Sequence, residues 1–232
     1  MLNIVTIILA RAGSKGIPNK NKMDFFGLPL FCWTVDQILR SSLKKYPIFI
    51  STDDIDIINI INSRYQNYDV HCIDRPPKLA SDTASSDAAL KHAIHYIESF
   101  RNIKVDIVVH PQVTSPLRYS EDFDNAINSF LTGQNLDSLF TASKLEDACI
   151  WNEKLQSITY DYKQRKNRQD KKLLYLENGS IYITRKKTLE KYKNRLGKNK
   201  AISLMHSWQS FELDSFEDIE IVSYYMQKLL RS

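Results

Sequence analysis

Cysteine, glycine and long apolar runs are all scarce in this chain. Its 232 residues include 3 cysteines and 6 glycines. Cys32, Cys72 and Cys149 are widely spaced and form no CxxC pair, so we expect free thiols in a reducing cytoplasm. The longest apolar run, residues 4–10, is far shorter than the ~20 residues of a membrane helix. No signal peptide is recognisable at the start. We therefore expect a cytoplasmic protein with no membrane partner.

The charge distribution argues against a nucleic-acid partner. The net charge is +5, and hydrophobic residues make up 43% of the chain, as in a globular protein. The positive excess is concentrated in the opening loop, residues 8–22, and in residues 160–172. A nucleic-acid binder would instead spread basic and aromatic residues over one face. Two local patches are better explained by small anionic substrates.

Apolar runs alternate with helical patterns along most of the chain. The predicted buried strands are residues 4–9, 47–52, 68–73, 105–110 and 138–142, and a helix follows each of the first four. This alternation predicts a three-layer α/β/α, Rossmann-like fold with a mainly parallel sheet. We also predict strands at 179–184 and 210–215, before a final helix ending near Leu230. We expect a single domain, residues 1–232, with a polar inserted arm at 144–175.

The opening loop, "ILARAGSKGIPNKNK", contains four cations and no acid. It matches neither GxGxxG nor the P-loop pattern, yet its glycines allow close backbone approach and its amides would form an anion nest. Arg11, Lys15, Lys20 and Lys22 add formal positive charge. This composition favours a nucleotide phosphate site at the carboxyl end of the first strand. The alternative is a solvated basic turn.

Two acids near the end of the chain predict a metal site. Glu212 and Asp214 are separated by one residue, so on a strand both side chains would leave the same face. Mg²⁺ bound to phosphate oxygens needs only one or two protein carboxylates. We therefore predict Mg²⁺ as cofactor, with Asp214 and Glu212 as its ligands. The alternative is a solvated acidic strand end.

Five stretches resemble, in order, the motifs of the CMP-sialic acid synthetases. These stretches are "ILARAGSKGIPNKN", "RPPKLASDTASS", "PQVTSPLR", "RQ" at 168–169 followed by "ENGSIYI", and "FELDSFEDIEIV". The third stretch has Val113 where the family has proline, and the fifth has Glu212 where the family usually has aspartate. CMP-Kdo synthetases, which lack the Ser-Lys-Gly of positions 14–16, are a weaker match.

The resemblance implies a nucleotidyltransferase fold with a protruding dimerisation arm, and it implies roles for individual residues. The nucleotide would be bound by Leu9, Ala10, Arg11, Gly13, Ser14, Lys20, Asn21, Arg75 and Ser86. The sugar would be bound by Gln112, Ser115, Arg168 and Asn178. Arg11, Lys20 and Asp214 would be catalytic. Arg168 would pair with the sugar carboxylate, and its arm would reach the neighbouring subunit of a homodimer.

The reaction implied by the resemblance is CMP transfer from CTP to the anomeric hydroxyl of a nonulosonic acid, with release of pyrophosphate. The stretch "EDACIW" lacks a lysine found in family members that use N-acetylneuraminate, and "NGSIYITRKK" is similar to enzymes that activate legionaminic-type sugars. Trp151 would supply an apolar wall for such a sugar. The alternatives are another nucleoside triphosphate, another keto-sugar acid such as Kdo, and a non-catalytic nucleotide-sensing or RNA-binding relative.

Overall fold

A twisted sheet organises the chain in this computed structural model, which describes residues 2–231 except for the side chain of Arg168. Within these residues the main sheet has seven strands, in the order β5-β4-β1-β6-β8-β7-β9. The strands are β1 (Ile4–Leu9), β4 (Ile48–Thr52), β5 (Val70–Asp74), β6 (Ile107–Pro111), β7 (Ser138–Leu145), β8 (Leu174–Arg185) and β9 (Lys200–Leu204), while β2 (Asp24–Phe25) and β3 (Leu28–Pro29) form a separate hairpin. β8 is antiparallel to both of its neighbours, and the other pairs in the main sheet are parallel.

The described residues form seven α-helices. Their bounds are α1 (Leu30–Arg40), α2 (Ile55–Arg64), α3 (Pro77–Ala80), α4 (Ser86–Phe100), α5 (Ser120–Thr132), α6 (Lys186–Tyr192) and α7 (Phe216–Leu229). The side chain of Asp54 caps α2, and that of Ser85 caps α4 by accepting from the amide of Ala88. No described helix has the length and apolar character needed to cross a bilayer.

Two apolar layers cover the sheet, one on each face. Ile4 and Ile8 belong to a core shared with α1, α2, α5 and α7, whereas Val5 and Ile7 pack with α4 and α6. Successive strand residues point to opposite faces, so a strand covered on both sides is apolar throughout. The predicted three-layer α/β/α fold with a mainly parallel sheet is confirmed.

The arm is built on extensions of two strands. β7 and β8 continue beyond the predicted limits and pair as far as Leu145 with Leu174. Residues 146–173 are largely irregular, apart from a bridge between Trp151 and Ser157 and a 3₁₀ turn at Arg168–Asp170. The strand ends were predicted too short because their residues are polar or exposed and lack the apolar pattern.

The predicted strand at 210–215 is wrong. A 3₁₀ turn at Ser207–Ser210 precedes an irregular segment in which the amide of Leu213 donates to the carbonyl of Thr114 at 2.8 Å. This one bond does not make a ladder. The edge strand near the chain's end is instead β9. The sequence does not predict this strand, because its five residues lack a continuous apolar run.

Candidate active site

A cleft of about 260 Å³ opens where the strand order reverses. From β1 the chain moves to β4 and β5 on one side, and then to β6 on the other side. Ligands of open α/β sheets bind at such a point, beyond the carboxyl ends of the strands. Eight of the predicted site residues line this cleft: Leu9, Arg11, Ser14, Lys20, Asn21, Arg75, Ser86 and Gln112.

The opening loop is held in place by two side chains. The carboxylate of Asp53 accepts from the amide of Ala12 at 2.8 Å, and the Asn21 amide group donates to the carbonyl of Arg11 at 2.8 Å. Gly13 lies at the bend with a left-handed φ of 66°, which glycine adopts without strain. Ala10 is buried and bonds β4 through its backbone, so it supports the loop without lining the cleft.

The positive charge of this loop is partly balanced by an acid from the following motif. Arg11 donates to Asp82 at 2.6 Å and to the carbonyl of Ala80 at 2.9 Å, and Lys15 lies 3.1 Å from the same carboxylate. The two cations lower the pKa of Asp82. Lys22 pairs with Asp54 and Asp56 instead of facing the cleft.

Arg75 also lines the cleft, as a buried cation. Its guanidinium donates to the hydroxyl of Ser51 at 3.1 Å and to the carbonyl of the same residue. Burial lowers the pKa of Arg75 to about 10, although Asp53 opposes the shift, so the group stays charged at neutral pH. Ser86, the first residue of α4, is exposed beside it.

The opening loop and the acidic segment meet at Lys20. Its ammonium group donates to the carbonyl of Leu213 at 2.6 Å and to Oδ1 of Asp214 at 2.9 Å. Gly16 packs so closely on this segment that a Cβ there would overlap the carbonyl oxygen of Asp214. The basic and acidic segments therefore reach one another at the edge of a single cleft.

Glu212 occupies a tighter position than Asp214. Thr114 donates to its Oε2 at 3.4 Å, and a Cβ on Gly179 would overlap its Oε1. Burial, followed by the negative charge of Asp214, raises the pKa of Glu212 to about 7. Two carboxylates held this close repel one another unless a cation joins them.

The acidic pair fits Mg²⁺. In the described part of the chain no group of three or more His, Cys, Asp or Glu side chains could hold a metal ion. The site thus offers two carboxylates, as is usual where substrate phosphates supply other oxygen ligands. A divalent cation would also remove the repulsion between Glu212 and Asp214 that contributes to the raised pKa of Glu212.

The residues predicted to bind the sugar fall into two groups. Gln112 lines the cleft, and its backbone amide donates to the backbone carbonyl of Ser180 at 3.1 Å. Ser115 and Asn178 are buried and do not line the cleft. The Asn178 side chain accepts from the hydroxyl of Thr141 at 2.7 Å, inside the sheet. The sugar contacts of Ser115 and Asn178 therefore stay predictions.

Trp151 lies outside the cleft of its own chain. It packs against Tyr160 and Tyr162 within the arm, with ring centroids 5.9 and 5.2 Å away, and remains 41% exposed. The apolar wall that it would supply to the sugar stays a prediction, since Trp151 does not line the cleft of its own chain. The predicted carboxylate ligand, Arg168, has a side chain that lies outside the described residues.

Two buried basic side chains, those of His110 and Arg118, are not among the site residues predicted from the sequence. His110 lines the cleft, bonds the carbonyl of Ile7 through Nδ1 at 2.9 Å, and has a pKa lowered to about 3 by burial. Arg118, only 1% exposed, lies beneath the loop that carries Gln112. Arg118 ends the stretch "PQVTSPLR", but nothing in that stretch predicts that the arginine side chain is buried.

Comparisons with known proteins agree with this architecture. A family profile described as "Cytidylyltransferase" matches residues 5–229. The chain is 30% identical to post-translational flagellin modification protein B of Campylobacter coli, over 98% of this chain and 97% of that protein. It is 34% identical to a pseudaminic acid cytidylyltransferase of Campylobacter jejuni, over 76% of each chain.

More distant similarities extend the comparison. An N-acylneuraminate cytidylyltransferase of Streptococcus agalactiae is 30% identical over 92% of this chain, which spans about half of that protein (51%). A solved CMP:2-keto-3-deoxy-manno-octonic acid synthetase complexed with CTP has the same fold, with a TM-score of 0.71 at 17% identity over 98% of this chain and 99% of the other. From the profile match over nearly its whole length, this chain belongs to the cytidylyltransferase family and is a nucleotidyltransferase.

Proposed function

We propose that this protein transfers CMP from CTP to the anomeric hydroxyl of a nonulosonic acid and releases pyrophosphate. The observation that carries the proposal is the junction of Lys20 with Asp214 at the edge of the cleft. At this junction the Lys20 ammonium group, which would bind phosphate, lies beside the Asp214 carboxylate, which would bind a metal ion. The names of the relatives, which act on N-acylneuraminate or pseudaminic acid, support the substrate class.

In the proposed mechanism the chain aligns two substrates and stabilises charge. The anomeric oxygen forms a bond to the α-phosphorus as the bond to pyrophosphate breaks, and the hydroxyl proton leaves to solvent. Arg11 and Lys20 would stabilise the charge on the phosphates, while Arg75 and Ser86 would hold the nucleoside. Such a transfer depends mainly on positioning and positive charge.

The cofactor in this proposal is Mg²⁺, held by Asp214 and Glu212. When bound, it would neutralise phosphate charge and lower the pKa of the sugar hydroxyl. Gln112 would orient the sugar from the end of β6. Lys20 would stabilise the negative charge that develops on the leaving pyrophosphate, since its ammonium group is fixed at the cleft edge.

A homodimer would complete the sugar end of the cleft. The arm carries exposed apolar side chains, of which Leu155 is 80% and Ile158 62% exposed. We propose that these pack on a second copy, and that Arg168 and Trp151 thereby reach the partner's cleft. This arrangement explains why Trp151 lies away from the site of its own chain.

The test is pyrophosphate release from CTP with a panel of keto-sugar acids. The panel contains N-acetylneuraminate, pseudaminic acid, a legionaminic-type sugar and Kdo, and a second arm exchanges CTP for UTP or GTP. We expect release with CTP and at least one nonulosonic acid. The lack of a lysine in "EDACIW" disfavours N-acetylneuraminate, and "NGSIYITRKK" favours a legionaminic-type sugar. An Asp214→Asn variant, assayed at a Mg²⁺ concentration that saturates only the wild type, serves as the control with reduced activity. Release with no sugar acid, together with tight RNA binding, would overturn the proposal.

A further inference from the structure

The buried guanidinium of Arg118 binds the backbone of Gln112, a residue that lines the cleft. Nη1 of Arg118 donates to two backbone carbonyls, those of Gln112 and Ser180, each at 2.9 Å. Nη2 donates to the hydroxyl of Thr34 at 2.6 Å, and Nε donates to the Gln37 side chain at 3.2 Å. Gln37 in turn donates to the carbonyl of Arg118 itself at 2.9 Å. The side chain is thus fixed from four directions.

The position of these bonds matters because the sheet ends there. The last paired residues of β6 and β8 are Pro111 and Ile181. Beyond them, the amide of Gln112 donates to the carbonyl of Ser180 at 3.1 Å. Arg118 bridges the carbonyls of both residues, so its guanidinium extends the connection between the two strands by one step past the ladder.

The segment held by Arg118 is also the support for the acidic pair. Thr114 accepts from the amide of Leu213 at 2.8 Å through its carbonyl, and its hydroxyl donates to Glu212. Gly179, next to Ser180, packs against both Glu212 and Gln112. A shift of Gln112 relative to Ser180 would therefore move the sugar contact and the metal ligand together.

The charge of Arg118 is costly to bury if its role is only to fill space. No carboxylate of the described residues lies within ion-pair distance of it, and its nearest acids, Asp122 and Glu212, act at longer range. Buried charges are often replaced by apolar residues of similar size without loss of stability. Such a replacement would lose the directed donors of the guanidinium, which binds two carbonyls through Nη1, Thr34 through Nη2 and Gln37 through Nε.

We propose that Arg118 is a positioning residue that fixes Gln112 and the acidic segment for the sugar half of the reaction. The inference rests on the proposed function for its kinetic test. It does not extend to the nucleotide contacts of Arg11, Arg75 and Ser86, because these residues contact neither the guanidinium nor the carbonyls it holds.

The test compares Arg118→Lys with a matched control, Gln209→Met. Gln209 is equally buried and bonds the same loop at the carbonyl of Leu117, at 3.1 Å, without touching Gln112 or Ser180. In Arg118→Lys we expect the KM for the sugar acid to rise, and kcat to fall, each by roughly tenfold or more, because small misplacements at a reacting centre are costly. At saturating Mg²⁺ the KM for CTP should stay within about twofold, because the side chains of Arg11, Arg75 and Ser86 are not held by Arg118. Gln209→Met should lower the Tm and leave both KM values unchanged.

A second measurement does not need turnover. The exchange protection of the Gln112 amide should fall in Arg118→Lys and be kept in Gln209→Met. Wild-type sugar KM and kcat in Arg118→Lys, or the same kinetic profile in both variants, would overturn the inference. If the wild-type protein activates no sugar acid, the proposed function fails, and unchanged Gln112 protection in Arg118→Lys would then overturn the positioning role on its own.

Discussion

Lys20 Nζ lies 2.9 Å from Asp214 Oδ1, although 194 positions separate the two residues. The lysine is 7% exposed as a residue, whereas the aspartate side chain is 67% exposed. The ammonium group is therefore fixed by the fold, and the carboxylate beside it remains exposed to solvent. A nucleotide with its metal would meet both groups at once.

Removing the Lys20 ammonium should slow turnover by roughly a hundredfold or more in Lys20→Ala, since a single charge-stabilising donor commonly contributes that much. Steady-state pyrophosphate release at saturating CTP measures the effect. Lys22→Ala is the matched control. Lys22 belongs to the same 3₁₀ turn as Lys20, Lys20–Lys22, but it pairs with Asp54 and Asp56. Near wild-type turnover in Lys20→Ala would contradict the phosphate role.

Removing either carboxylate should raise the Mg²⁺ requirement. In Asp214→Asn and Glu212→Gln we expect the Mg²⁺ concentration for half-maximal activity to increase roughly tenfold or more, as a ligand or its support is lost. A magnesium titration of initial rate at fixed CTP measures this. Glu217→Gln, an exposed acid in the first turn of α7, should titrate like the wild type. Equal requirements in all four proteins would argue against a metal at this pair.

Glu212 should make the metal-free protein less stable as pH rises. Its pKa in the fold, about 7, exceeds the ordinary 4.5, so the folded state keeps a proton that the unfolded chain has released. The stabilisation is full below pH 4.5 and is lost as pH rises through about 7, an effect on the order of 3 kcal/mol. Glu212→Gln should remove this loss.

Urea unfolding in EDTA at pH 5 and pH 8 measures the difference between the two proteins. His110, whose pKa is lowered to about 3, contributes in the opposite direction in both proteins and cancels in the comparison. A free-energy difference between wild type and Glu212→Gln that is the same at both pH values would show that Glu212 titrates normally.

A charge on the arm should dissociate the proposed dimer. We expect Leu155→Asp and Ile158→Asp to convert a dimer into monomers, because a buried unpaired carboxylate is costly at an apolar interface. Sedimentation velocity at micromolar concentrations measures the change. Phe100→Asp is the control, since Phe100 is similarly exposed, at 72%, but lies at the end of α4. A monomeric wild-type protein at these concentrations would contradict the dimer.

The layered fold could be predicted because its signals are local. The continuous apolar run of β1 needs only its own six residues to indicate a strand covered on both faces. Asp54 and Ser85 cap their helices within three positions of themselves. The loop glycines and cations likewise indicated an anion site from one short segment.

The features that could not be predicted from the sequence depend on contacts between residues that are far apart in the chain. Nothing near Arg118 shows that four partners, from residues 34 to 180, would surround it. Asp82 was not expected to balance Arg11, 71 positions earlier. Glu212 and Asp214 looked like a strand because they alternate with a buried leucine, but no neighbouring strand is present among the described residues to pair with them.

The packing of Gly16 on the backbone of Asp214 has a consequence for protein synthesis. A ribosome must translate every residue between Gly16 and Asp214 before the second half of this contact exists, and Asp214 must then leave the exit tunnel. Until then, the nascent chain has its basic loop without the acidic segment that packs on it. A chain that is terminated before Asp214 would therefore lack the junction of these two segments.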